Sequence, residues 1–66
     1  MTANQYRAAL AKLNLTQVGA ARLFGVNEAT SRRWAASGVE GTVVILIRLM
    51  LAGKVTADDI ETVNKK

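Results

Sequence analysis

Few residues of this 66-residue chain carry side chains suited to chemistry, and the densest group of them lies between Gln17 and Arg33. Arg32 and Arg33 are adjacent, and a guanidinium binds guanine O6 and N7 in a bidentate way. Glu28 stands four residues before Arg32, so on a helix the two can form an i,i+4 ion pair. A carboxylate near phosphates is repulsive, which gives Glu28 a specific role, either accepting from cytosine N4 or simply holding Arg32 in place. This chemistry is recognition, not bond making. The chain has no Cys, so it has neither disulfides nor thiolate metal sites, and no His for imidazole acid–base catalysis or the usual zinc sites. Asp58 and Asp59 are adjacent acids at a predicted helix start, where the macrodipole accounts for them. No nucleophile–base pair is visible, so neither an enzyme nor a cofactor is expected.

Two short helices are needed to position these side chains. Thr16 can cap a helix of about residues 17–24, with Ala20, Ala21 and Phe24 on one side. Gly25 is the pivot, because a sharp turn after Phe24 needs a residue that accepts positive φ. Val26 buries the turn, and Asn27 caps a third helix of about residues 28–36. On that helix Ala29 or Thr30 and Trp34 can face inward, while Glu28, Ala29, Arg32, Arg33 and Ala36 spread over the outward arc. Gln17 begins the second helix, where amide hydrogens and a favourable dipole suit a phosphate. Gly19 is awkward inside a helix, at a cost of up to about 1 kcal/mol relative to alanine. It marks either a close backbone approach or a tolerated defect.

The flanks supply the rest of a bundle. Thr2 and Gln5 fit a capping box, and Tyr6, Ala9, Leu10 and Leu13 follow at helical spacing over about residues 3–13. Arg7 and Lys12 fall off that stripe as solvated cations, or reach a phosphate from the edge of the site. Asn14-Leu15 is a short connection, and Ser37 to Gly41 a turn-rich link. Thr42 can cap a fourth helix of about residues 43–52, ended by Gly53. Its sequence VVILIRLML is apolar almost all round, so it buries two faces. One covers the N-terminal helices; the other is expected to meet a second copy of the chain through Val43, Ile45, Leu46, Ile47, Leu49 and Met50. The competing arrangement is a central helix covered by helix five and the N-terminal arm. Thr56 and Asp59 form another cap, for a helix of about residues 57–63 with Ile60 and Val63 inward. Asn64-Lys65-Lys66 reads as a frayed tail.

Sixty-six residues make one domain, residues 1–66, near the lower limit for a chain without staples. Half the residues are apolar, which argues against disorder. A homodimer is the cheapest source of added stability. The N-terminus lacks a signal-peptide layout, and the run from Val43 to Leu51 is too short to span a bilayer. A cytoplasmic protein with no membrane partner and no small-molecule ligand is therefore expected. Charge is uneven. Residues 1–36 hold five cations against Glu28, a net +4, whereas residues 37–66 hold four of each sign. This asymmetry points the N-terminal half toward a polyanion, and gains weight only if the cations share a face.

Gln17 to Ala36 resembles the twenty-residue helix-turn-helix of phage-type repressors, the Cro/repressor-like group. Gln17, Ala21, Gly25, Val26 and Trp34 carry the likeness, at the first, fifth, ninth, tenth and eighteenth places of the motif. About a third of the chain is covered. The resemblance implies a compact all-α bundle of about five short helices in which helices two and three form the reading unit. It implies Asn27, Glu28, Ala29, Arg32 and Arg33 on the outward side of a recognition helix in the major groove, and Trp34 inward as a core anchor. Two places depart from the pattern. Ser31 replaces the usual Val or Ile, so packing is looser there or its hydroxyl bonds a backbone carbonyl; Gly19 replaces a polar residue. The expected function is a dimeric, sequence-specific regulator of transcription binding an inverted repeat on double-stranded DNA, a repressor by the resemblance. An accessory phage or plasmid DNA-binding factor and a protein-interaction module, such as an antitoxin half, are the competing classes.

Overall fold

The computed structural model describes residues 1–64, which form five helices and, among the described residues, no strand. They are α1 (Ala3–Lys12), α2 (Gln17–Phe24), α3 (Glu28–Ser37), α4 (Thr42–Leu51) and α5 (Ala57–Asn64). The all-α class is as expected. Asn64 ends α5 instead of opening a tail, and Lys65 and Lys66 lie outside the described residues.

Local chemistry explains most of the boundaries. The Thr2 hydroxyl accepts from the Gln5 amide at 3.1 Å while Gln5 Oε1 accepts from the Thr2 amide at 2.9 Å, the reciprocal pair of a capping box. Thr56 and Asp59 repeat the device at α5, with bonds of 3.0 and 3.2 Å. Those bonds favour the Asp59 carboxylate and hold its pKa below the ordinary value. Thr16 caps α2 through the Gly19 amide at 2.9 Å. Only α4 departs: Thr42 is its first helical residue and Gly41 its cap, with no side-chain bond. Gly41 enters the helix at φ 89°, a conformation that glycine adopts without steric cost.

Three helices stop in the same way, on a residue in the left-handed region. Asn14 (φ 58°), Gly25 (φ 70°) and Gly53 (φ 74°) take that position after α1, α2 and α4. The next amide then reaches back: Leu15 to the Leu10 carbonyl, Val26 to Ala21 and Lys54 to Leu49, each at 2.9 Å. This satisfies carbonyls that the helix end would leave bare. At Asn14 the turn uses the one non-glycine residue of positive φ among those described.

Two apolar clusters fill the interior. Tyr6, Ala9, Leu10, Ala20, Ala35, Val39 and Ile47 form the larger, and Leu23, Met50 and Ile60 the smaller, with Phe24 and Leu15 packed against both. The small Ala20 and Ala21 let α2 and α3 lie close, and these two helices pack on each other more extensively than any other pair. α1 crosses α3 and α4, and α5 rests on α2.

α4 is where expectation and structure differ most. Ile47 and Met50, placed on a dimer face from the sequence, are 0% and 6% exposed within the single chain. They belong to the core, because α1, α2 and α5 together cover that side of α4. Val43 and Leu46 are half-buried, and Ile45 and Leu49 remain on the outside. Val63, expected inward, is 69% exposed, since α5 is turned so that Ile60 and Ala57 face the smaller cluster. No single described helix is long and apolar enough to cross a membrane.

Candidate nucleic-acid interface

The outer surface of α3 follows from its inner one. Ser31 and Ala35, four residues apart, are buried, and Thr30 and Trp34 flank them at the margin. A period of 3.6 residues then puts Glu28, Arg32 and Ala36 on one exposed stripe, with Ala29 and Arg33 on the next. All of the residues assigned outward from the sequence are exposed. Ala29 is not shared with the inward face, whose centre is Ser31 and not Ala29 or Thr30.

Asn27 fixes the start of this helix. Its Oδ1 accepts from the Ala29 amide at 2.8 Å, and its carbonyl accepts from the Thr30 amide at 3.0 Å. The side chain stays exposed at the tip, beside Glu28. Glu28 Oε2 lies 3.5 Å from an Arg32 guanidinium nitrogen, the expected i,i+4 pair. Both groups are well exposed, so the pair contributes only about 0.3–0.5 kcal/mol to stability. Its effect is on orientation: Arg32 is tethered along the helix, while Arg33 is free of ion pairs among the described residues.

Gln17 is exposed as the first residue of α2, beside the capping Thr16. The neighbouring Gly19 has a local explanation. A Cβ there would come 3.1 Å from Thr16 Oγ1, crowding the hydroxyl that caps the helix.

Beneath α3 a polar contact stands within the apolar packing. Ser31 Oγ and Tyr6 Oη are 2.8 Å apart and both side chains are fully buried. Ser31 thus bonds a side chain of α1, not a backbone carbonyl, and its packing is not loose. Burial raises the Tyr6 pKa, and the Ser31 hydrogen bond partly opposes that rise. Trp34 meets the Tyr6 ring edge-on, with centroids 5.8 Å apart, and packs against the larger cluster as an anchor at the margin of the core.

Arg7 is exposed, as a surface cation would be, and its guanidinium is also engaged by the protein. Its Nη1 donates to the Ala35 carbonyl at 2.6 Å, and its Nη2 donates to Asn4 Oδ1. A guanidinium at the C-terminal turn of α3 satisfies a bare carbonyl and suits the negative end of the helix dipole. Sequence spacing could not reveal this, because the acceptor is a backbone atom on a distant helix.

The cations of residues 1–36 do not share one face. Arg32 and Arg33 are on α3, and Arg7 is engaged at the far end of that helix. Lys12 lines a hollow between α1 and α4 with Arg48, and Arg22 lines one between α2 and α5 with Glu61. The outer face of α3 therefore holds two cations and one acid.

A second feature lies along α4 and α5. Leu46, Val55, Ile60 and Val63 line an open groove of about 480 Å³, with Asp59 its one polar residue. Ile45, 61% exposed, and Leu49 stand out from the same helix as Leu46. No family model, no curated protein and no solved structure matches this chain.

Proposed function

We propose that this protein is a sequence-specific DNA-binding regulator, in which α2 and α3 act as a helix-turn-helix and α3 enters the major groove. One observation carries the reading. The exposed face of α3 gathers Glu28, Ala29, Arg32 and Arg33 behind an Asn27-capped N-terminus, on a helix whose opposite face is anchored in the core. A helix of this width fits the groove of B-DNA, and its N-terminal residues are the ones that meet base edges. Arg33 and Arg32 would read guanine, Glu28 would accept from cytosine N4, and Gln17 would bring the α2 N-terminus to a phosphate. The likeness of Gln17–Ala36 to phage-type repressors supports the same assignment and favours repression.

A second copy of the chain completes the reader. One α3 offers few base contacts; two related by a two-fold axis double them. The surface that supports this role is the groove of Leu46, Val55, Ile60 and Val63, with Ile45 and Leu49 exposed on α4. The dimer face named from the sequence thereby contracts to Ile45, Leu46, Leu49 and, at its edge, Val43, and extends onto α5. An accessory DNA-binding role in recombination or packaging uses the same face, and a footprint over a promoter separates regulation from it.

The test is a binding titration on a selected duplex. Arg33→Ala is expected to cost about 1–3 kcal/mol of specific binding if Arg33 reads a guanine, and Arg32→Ala a similar amount. Unchanged affinity in both variants would remove α3 as the reading helix.

A further inference from the structure

We propose that α1 sets the angle at which α3 is presented, with Tyr6 and Arg7 as positioning residues that never touch the ligand. This inference rests on the reading of α3 as the DNA-contacting helix.

Two side-chain hydrogen bonds link α1 to α3 beside their apolar packing. Ser31 is the one buried polar residue among those described, and its hydroxyl has Tyr6 Oη as its partner. Ser31, buried, sits on the helix directly before the exposed Arg32. A hydrogen bond tolerates little change in length or angle, so this bond fixes rotation of α3 about its own axis in a way that apolar packing does not. One turn later Arg7 Nη1 holds the Ala35 carbonyl at 2.6 Å, which fixes the far end. Beyond the helix, Met1 and Val39 exchange two backbone bonds, of 3.0 and 2.9 Å. Gly38 makes room for them, since a Cβ there would lie 2.7 Å from the Met1 carbonyl oxygen.

The consequence for reading is geometric. Side-chain tips lie roughly 6 Å from a helix axis, so a rotation of about 20° carries a guanidinium some 2 Å sideways. Bidentate recognition fails at about that displacement, because a productive site must be held to roughly 0.5 Å. Phosphate attraction hardly changes over the same distance. Loosening α1 from α3 is therefore expected to lower discrimination between sequences while leaving general affinity for DNA in place.

Tyr6 is fully buried, so any effect of its hydroxyl on DNA must pass through α3. The experiment compares three proteins: the wild type, Tyr6→Phe, and the double variant Tyr6→Phe/Ser31→Ala. Each is titrated with a duplex enriched from a random library and with a random duplex, and each is unfolded in urea. Tyr6→Phe is expected to lose roughly fivefold in affinity for the selected duplex, about the worth of one hydrogen bond, with random-duplex affinity unchanged. In the double variant no hydroxyl is orphaned, so the urea midpoint recovers while discrimination stays low. A purely structural role predicts the reverse: a shifted midpoint with the selected-to-random ratio at its wild-type value in both variants, which would overturn the proposal. Should the wild type enrich no duplex, the DNA reading itself fails and the positioning role falls with it.

Discussion

Tyr6 ionises less readily in the folded chain than a free tyrosine does, because burial penalises the phenolate more than the Ser31 hydrogen bond favours it. A raised folded-state pKa means that the neutral phenol is the form the fold prefers. Its contribution is complete below the unfolded value of about 10 and is lost as pH rises through the folded value. The urea midpoint is accordingly expected to fall above pH 10, and to fall less in Tyr6→Phe. Equal alkaline losses in the two proteins would contradict that assignment. Glu28 invites a different test. It is the only acid among residues 1–36 and contributes little to stability, so Glu28→Gln should leave the fold intact and raise affinity for random duplex, as read by titration. Weaker random binding would show that it is not repelled by phosphates. At this scale the exposed residues were legible, since Arg32, Arg33 and Glu28 declare their chemistry by type and spacing. The Tyr6–Ser31 bond was not, because its partners are far apart in sequence and each alone reads as an ordinary surface or core residue.

Among the elements, both ends of α2 and the start of α3 owe their positions to short-range signals: Thr16, Gly25 and Asn27 each act within four residues of themselves. That is why these helices could be read from the sequence almost to the residue. Gly38 is the contrasting case. Its role depends on Met1, far away in sequence, and no local pattern announces it. The two glycines make a paired prediction. Gly25→Ala meets no atom within 4 Å and bears only the strain of φ 70°, about 1–2 kcal/mol. Gly38→Ala must also displace the backbone of Met1, so its loss of stability in urea should be the larger. α4 failed to reveal its facing for a plain reason. A helix that is apolar all round has no periodic contrast, and only the folded neighbours decide that Ile47 and Met50 go inward while Ile45 and Leu49 stay out.

For the molecule as a whole, the proposed reading face has a thin electrostatic footprint. Only two of its cations stand on the outer face of α3, and Glu28 offsets one of them. Affinity should therefore fall only gently with salt, by about 0.9 in logarithmic slope for each phosphate neutralised. Pairing through the α4–α5 groove would double both contacts and slope. Ile45→Glu is expected to give a folded monomer and Ile47→Glu an unfolded chain, as judged by sedimentation and circular dichroism. A stable Ile45→Glu dimer would move the interface elsewhere. The most direct measurement is selection of bound fragments from random double-stranded DNA with the purified wild-type protein. Enrichment of an inverted repeat, its half-site centres roughly 34 Å or one helical turn apart, is the predicted result. A pool that stays random through successive rounds, while the protein remains folded, would contradict DNA reading by α3.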